Sequence, residues 1–225
     1  MKVSRLELGK AFGDSRLKVC AALGMASISN RSILDIGAGS GHIAAYFASK
    51  NAVTATDVEN QLCVEGAPLS FVQLDNGAAL PFSDASFDIV ILNHVLTYIS
   101  DQRHELIEIK RILKPDGVCY IALPNRIFPI EPHSKIPFLH YLPHALYEKL
   151  LRMLTGANEK IRMHSFTEMI KLFESAGFSS QDYTIEVLHD PARYCSGVRF
   201  RLPAWHWLTR ISPTNIFILR VKALA

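Results

Sequence analysis

The chain has 225 residues, 49% of them hydrophobic and 20% charged, with a formal net charge of +3. These values suit one large domain with a substantial core and exclude a disordered or collagen-like chain. No apolar run reaches the roughly 18 residues of a membrane-spanning helix. Acidic residues precede the apolar stretch 19–28, which therefore does not have the form of a signal peptide. The four cysteines are far apart and form no CxxC pair, which disfavours disulfides and zinc and favours a reducing cytoplasm.

Apolar runs and amphipathic segments alternate through the first half of the chain. The predicted helices are 3–25, 42–49 and 101–113, and the predicted strands are 32–36, 53–56, 69–74, 87–92 and 118–123. A Pro-Asp-Gly turn at 115–117 precedes the last of these strands. The alternation predicts a parallel α/β sheet.

The pattern changes after position 123. Five prolines lie within 124–143, and helices are predicted at 146–154 and 167–175, the second with an N-terminal cap at Ser165. Alternating residues predict an antiparallel pair of strands at 183–188 and 215–221. We expect a single domain over 1–225, with a Pro-rich, lid-like insert around 124–164 and a basic aromatic insert around 190–213.

A glycine-rich turn joins the first strand to the next helix in the stretch ILDIGAGSGHIAAYFA. Gly37 permits a tight turn, and Gly39 and Gly41 permit close approach of a ligand or of another backbone. Asp57 ends the second strand, where a carboxylate accepts two hydrogen bonds from a ribose diol. The pattern predicts a nucleoside ligand. A dinucleotide fingerprint would need a third glycine at the position of His42.

Three stretches of the sequence together resemble the class I S-adenosylmethionine (SAM) dependent methyltransferase family, in its UbiE-like, type 11 group. They are LDIGAGSG, LPFSDASFDIVIL and RILKPDGVCYIALPN. The resemblance is close from 33 to 125 and looser to the last strand. It implies a Rossmann-like, seven-stranded, mostly parallel sheet with helices on both faces and the last strand antiparallel. SAM would lie over the carboxyl ends of the first strands.

The resemblance also implies which residues bind SAM. Asp57 would hold the ribose, and either Asp75 or Asn76 the adenine, because the spacing to the LPF motif leaves both open. The remaining cofactor-binding residues are Asp35, Gly37, Gly39, Gly41 and Asn93.

Three histidines are candidates for catalysis. His94 follows the fourth strand near the transferred methyl, where it would act as a base or simply pack. His133 and His140 lie in the Pro-rich insert, on the active-site side, where one or the other would touch substrate; a structural role is the alternative for each. No metal is expected. The absence of an NPPY or DPPY motif disfavours methylation of a nucleobase amine.

The end of the chain is basic, since residues 191–225 carry six basic groups and no acid. In the second insert, arginines beside Trp205 and Trp207 would contact a membrane or an anionic acceptor. Alternatively, the insert is a solvated loop whose tryptophans cover the sheet. A less favoured alternative is that its aromatic residues stack on nucleic-acid bases.

The predicted function is a cytoplasmic SAM-dependent methyltransferase that acts on oxygen of a small molecule, a lipid-linked intermediate or a glycan. The alternatives are a non-catalytic SAM-binding partner subunit and a nicotinamide-dependent oxidoreductase.

Overall fold

A computed structural model describes residues 28–75, 79–132, 134–156, 161–189 and 205–222. Its strands form one seven-stranded sheet in the order β3-β2-β1-β4-β5-β7-β6. The strands are β1 Ser32–Ile36, β2 Ala52–Asp57, β3 Leu69–Gln73, β4 Phe87–Asn93, β5 Leu113–Pro124, β6 Phe178–Asp182 and β7 Thr214–Val221. The pairs from β3 to β5 are parallel, whereas β7 runs antiparallel to both β5 and β6. The expected Rossmann-like sheet is confirmed.

Helices cover both faces of this sheet. They are α1 His42–Ala48, α2 Gln102–Ile112, α3 His144–Thr155, α4 Phe166–Ser175 and α5 Thr184–His189, with 3-10 turns at Leu96–Tyr98, Leu139–Tyr141 and His206–Ile211. Successive strand residues point to opposite faces. Leu34 therefore packs in the cluster that contains α2 and α4, while Ile33 packs in the cluster that contains α1 and α5.

The strand predicted at 183–188 is wrong, because that segment is helix α5 and the strand is β6. Asp182 accepts the backbone N–H of Thr184 at 2.8 Å, where the chain turns from β6 into the helix. β6 is an edge strand of sequence FSSQD, of which only Phe178 is fully buried. Its hydrogen bonds to β7 hold it in place, so its sequence carries little apolar signal.

Two smaller predictions have clear outcomes. The predicted cap of α4 is confirmed as a capping box, in which Ser165 and Glu168 bond each other's backbone N–H groups. β5 begins at Leu113, earlier than expected. Its pairing with β4 jumps from Phe87↔Leu113 to Ile89↔Val118, and the predicted turn lies in that irregularity. The helix predicted at 3–25 lies outside the described residues.

Candidate functional site

The glycine-rich turn between β1 and α1 is held in a left-handed conformation. Gly37, Gly39 and Gly41 have φ angles of +68°, +52° and +79°, values that residues with a side chain rarely adopt. The backbone N–H of Gly39 donates to Oδ2 of Asp57 at 2.8 Å. The N–H of Ala38 donates to the Thr56 carbonyl oxygen at 2.9 Å. The turn is thus fastened to the end of the neighbouring strand β2.

The three glycines lack side chains for different reasons. A Cβ at Gly37 would collide with Val95, and one at Gly41 would lie 2.5 Å from Cδ2 of Leu62. A Cβ at Gly39 would meet no atom within 4 Å. The first two glycines therefore serve packing within the protein, while Gly39 borders open space that a ligand could occupy.

Beside this turn lies a cavity that we call the nucleoside cavity. Its walls come from Ile36, Gly37, Asp57, Val58, Leu74, Asp75, Leu80, Val95, Ile99 and Glu105. Most of these are apolar and suit a flat ring, whereas the carboxylates suit hydroxyl and amino groups. Asp57 already accepts the N–H groups of Val58 and Gly39. A carboxylate offers about four acceptor positions, so Asp57 retains capacity for a diol.

Asp35, at the end of β1, is almost fully buried beneath the glycine turn. Burial raises the pKa of its carboxyl to about 7, the Ala44 backbone amide opposes that rise, and the charge of Asp57 adds to it. Its Oδ2 atom has no hydrogen-bond donor among the described residues. A buried carboxylate oxygen that lacks a donor fits a ligand bearing N–H groups or positive charge.

The structure brings several expected cofactor residues together. Gly37, Asp57 and Asp75 line one cavity, whereas Asn76 lies outside the described residues and Asn93 pairs with Ala122 on β5. Glu105 lines the same cavity and was not predicted. Burial raises the pKa of its carboxyl to about 6, with the charge of His104 opposing and that of Glu108 adding. The only sequence signal for its place in the cavity wall was its position in the first turn of α2.

A second cavity, of about 360 Å³, lies under the Pro-rich insert; we call it the lid cavity. The end of β4, the insert and the start of β7 all contribute to its walls, which are His94, Thr97, Tyr98, Pro124, Phe128, Ile130, Glu131, Pro132, Lys135, Pro213 and Thr214. His94 lines this cavity and the next residue, Val95, lines the nucleoside cavity. The two cavities therefore adjoin at the end of β4.

His94 has a strained backbone, with a φ angle of +63°. Such a conformation costs about 1–3 kcal/mol in a residue other than glycine. The hydrogen bond from the His94 backbone N–H to the Ala122 carbonyl oxygen, at 2.9 Å, holds it there. Asn30, Ala85, Lys135 and Phe138 also have positive φ angles, so this angle does not by itself separate the catalytic interpretation of His94 from simple packing.

The other two histidine candidates have different placements. His140 is buried, and its Nε2 atom lies 2.9 Å from the Arg126 carbonyl oxygen. It lines a separate cavity with His144 and His164 instead of the lid cavity. That bond ties the insert to itself, which indicates a structural contribution. His133 lies outside the described residues.

Glu131 anchors the insert and was not predicted. It is completely buried, with Oε2 accepting the Ser134 hydroxyl at 2.8 Å and Oε1 accepting the Tyr147 hydroxyl at 3.2 Å. Burial and the neighbouring Glu131 raise the pKa of Tyr147 above its usual range. Glu131 is the one acid within 124–143, which was the available sequence signal. Across the described ranges, no three His, Cys, Asp or Glu side chains are grouped as metal ligands.

Comparisons with known proteins identify the family. The profile of a methyltransferase domain family matches residues 34–121. The ubiquinone/menaquinone biosynthesis C-methyltransferase UbiE of Klebsiella pneumoniae is 29% identical over 173 residues, covering 68% of each chain. These similarities support a SAM-dependent methyltransferase of the class I kind.

Two solved structures share the fold of this methyltransferase. A SAM-dependent methyltransferase of Mesorhizobium loti has a TM-score of 0.62 at 12% identity, over 91% of this chain and 97% of that one. The 1,6-didemethyltoxoflavin-N1-methyltransferase of Burkholderia thailandensis, in complex with S-adenosylhomocysteine, has a TM-score of 0.57 at 19% identity, over 97% of this chain and 82% of that one. The expected enzyme class is confirmed, and SAM is its cofactor.

Substitutions in the glycine turn should separate cofactor binding from packing. We expect Gly39→Ala to lower SAM affinity at least tenfold, because the new methyl group enters open ligand space. Its backbone strain should cost only about 1–2 kcal/mol of folding free energy. Gly41→Ala should cost more stability, because its Cβ meets Leu62. Calorimetric titration and urea unfolding measure the two effects.

Gly66→Ala is the matched control for that experiment. Gly66 has a positive φ of +71° and also has nothing within 4 Å of a built Cβ, but it lies between β2 and β3 instead of in the glycine-rich turn. It should lose stability as Gly39→Ala does while keeping its SAM affinity. Equal SAM affinity in the two variants would contradict the assignment of Gly39 to the cofactor.

The raised pKa of Asp35 predicts a pH-dependent stability. A carboxyl group whose pKa is higher in the folded state contributes stability that is complete below the unfolded value and is lost as pH rises through the folded value. With a folded value of about 7, the ligand-free protein should lose about 2–3 kcal/mol from this group between about pH 5 and about pH 8. Asp35→Asn should lack that loss. Urea unfolding at both pH values tests the difference, and parallel pH profiles for the two proteins would refute it.

Proposed function

We propose that this methyltransferase transfers the methyl group of SAM to a carbon atom of a small, largely apolar acceptor bound in the lid cavity. The carbon acceptor is supported by the curated relatives, which are named as C-methyltransferases. The apolar acceptor is supported by one part of the cavity wall, which Phe128, Ile130 and three prolines form; the other lining residues are His94, Thr97, Tyr98, Glu131, Lys135 and Thr214. The single observation that carries the proposal is that this cavity adjoins the nucleoside cavity at His94 and Val95.

The chain's own residues fit SAM in the nucleoside cavity. Asp57 would bind the ribose hydroxyls and Asp75 the adenine, both from the cavity wall. Asp35, whose buried Oδ2 atom has no hydrogen-bond donor among the described residues, would stabilise the positively charged methionine end through its charge. Gly39 leaves the room that the cofactor needs. When bound, SAM supplies an electrophilic methyl group on a sulfonium ion, and the protein supplies position and protection from water.

A carbon nucleophile must be made electron-rich, and the lid cavity holds groups suited to that task. An enol or phenol carbon becomes nucleophilic when its hydroxyl group loses its proton. The imidazole of His94 lines the cavity and can accept that proton near neutral pH. The ammonium group of Lys135 lines it too and would stabilise the resulting oxyanion. As the new carbon–carbon bond forms, the bond between the methyl group and sulfur would break and leave its electron pair on sulfur. The methylated carbon would then release its own proton to solvent, and His94 would return its proton to the oxyanion.

The oxygen acceptor expected from the sequence is the second candidate. The same base and cavity would serve it, because an oxyanion formed beside His94 is itself a nucleophile. The carbon acceptor is favoured here by the relatives' names alone. For the partner-subunit alternative, the opposing observation is the lid cavity, which adjoins the nucleoside cavity and offers room for an acceptor.

A methyl-transfer assay with isotope-labelled SAM and fractionated host extract tests the proposal. We expect a labelled product whose carbon NMR shift identifies a methyl on carbon. His94→Gln should lower kcat by about a hundredfold, in the range of general base catalysis, with SAM affinity unchanged. His189→Gln, which alters an exposed histidine at the end of α5, is the matched control and should keep full activity.

Three results would count against this account. A carbon NMR shift typical of a methoxyl group would show that the acceptor atom is oxygen. An unchanged kcat for His94→Gln would show that His94 is not the general base. Absence of any labelled product, with SAM binding intact, would favour the non-catalytic alternative.

A further inference from the structure

Exposed apolar side chains are concentrated in two segments of the chain. Of the fifteen large hydrophobic side chains that are exposed in the described residues, twelve lie in 127–154 and 205–211. Met153, Phe138, Trp205 and Trp207 are 73%, 58%, 56% and 54% exposed. Apolar patches of this kind on a protein surface mark sites of association. We call the apolar surface of these two segments the docking face.

Specific contacts join the two segments into one surface. The Asn125 side chain donates to the Arg210 carbonyl oxygen at 2.8 Å, and its backbone N–H donates to the Pro213 carbonyl oxygen at 3.1 Å. Within the insert, the Tyr141 hydroxyl donates to the Ile127 carbonyl oxygen. The insert and the 3-10 turn His206–Ile211 therefore meet at the base of the lid cavity.

Helix α3 extends this surface. Its inner side packs Tyr147 and Leu151 against Leu139 of the insert. Leu146 and Met153, elsewhere on the helix, remain exposed. An apolar side that stays in water after the helix has packed needs another partner, because burying apolar area contributes about 25 cal/mol per Å².

The charge around the docking face is positive. Lys135, Lys149, Arg152 and Arg210 are all exposed there. Within the described parts of 126–156 and 205–213, the acids are Glu131, which is buried, and Glu148. A basic apolar surface complements an anionic, apolar partner. The aliphatic side chains favour lipid over nucleic acid, where aromatic stacking would suffice.

We infer that the docking face binds the surface of an anionic lipid bilayer. Trp205 and Trp207 stack with ring centroids 6.0 Å apart, and tryptophan is enriched at membrane–water interfaces. Basic side chains near such a surface each contribute about 1 kcal/mol. In the described ranges no helix is long and apolar enough to cross a bilayer, so the contact lies in the plane of the interface.

The docking face borders the lid cavity, so binding to a bilayer would bring this cavity next to the lipid. Ile130, on the face, and Pro213, next to the 3-10 turn, both line the cavity. An acceptor with an apolar tail would pass from the lipid into the cavity without crossing water. This second step rests on the proposed function, whereas bilayer binding itself does not.

Vesicle sedimentation with the full chain tests the inference. We expect the protein to sediment with vesicles of phosphatidylcholine and phosphatidylserine at low salt, and less at high salt, because screening shortens electrostatic reach to about 3 Å at 1 M. Pure phosphatidylcholine should bind it weakly. The double variant Phe138→Ser, Met153→Ser should lose at least tenfold in binding. The matched control Tyr46→Ser, Ile107→Ser, which removes exposed apolar side chains elsewhere, should bind as wild type does.

Intrinsic fluorescence gives an independent readout. The chain has two tryptophans, both on the docking face, so its tryptophan emission reports this surface alone. Anionic vesicles should shift the emission to the blue, and brominated lipids should quench it. Unchanged emission with vesicles that do sediment the protein would show that another surface binds and would overturn the inference.

The other outcomes of these binding experiments also decide whether the inference holds. If the full chain never sediments with anionic vesicles, the inference is wrong; a dimer that the double variant dissociates would identify a second copy as the partner of this face instead. Preferential binding of single-stranded nucleic acid would overturn it too. Methyl transfer to a water-soluble acceptor by the double variant keeps this test separate from that of the proposed function.

Discussion

The hydrogen bond between the Gly39 backbone N–H and the Asp57 carboxylate is the interaction on which the site depends. It crosses from the turn after β1 to the end of β2 and holds the turn in its left-handed shape. The same carboxylate also accepts the N–H of Val58, so it fixes its own strand end. Because Asp57 is held from both sides, its free acceptor positions face the nucleoside cavity in one orientation. A preorganised acceptor of this kind binds a diol with little loss of conformational freedom.

The end of β4 connects this cofactor half to the half that would hold the acceptor. Val95 fills the space that a side chain at Gly37 would need, and it lines the nucleoside cavity. His94, one residue earlier, lines the lid cavity. The strained backbone of His94 and the packing of the glycine turn are therefore coupled through two consecutive residues. The Pro-rich insert then closes the lid cavity, with Glu131 and Tyr147 as its buried anchor.

The sequence predicted the parts of the molecule that have local signals. Strands buried on both faces, such as Phe87–Asn93, have continuous apolar sequences. The glycines of the turn indicate the positive φ angles that the backbone adopts there. The edge strand Phe178–Asp182 was not predicted, because backbone hydrogen bonds to β7 hold it in position and it has few buried apolar side chains. Glu105 and Glu131 were missed for a related reason, since only the tertiary fold brings a helix residue and an insert residue to the cavity walls. The placement of His140 depends on one long-range bond to Arg126 that no spacing indicates.

The most direct test of the account is a calorimetric titration of SAM into the wild-type chain and into Asp57→Ala, with Glu59→Ala as control. Hydrogen bonds to a charged group contribute about 1.5–3 kcal/mol each, so Asp57→Ala should weaken SAM binding at least tenfold. Glu59→Ala removes an exposed carboxylate two residues further on and should bind SAM as wild type does. NAD, titrated in parallel, should give no heat of binding. An unchanged SAM dissociation constant in a folded Asp57→Ala protein would contradict the central claim.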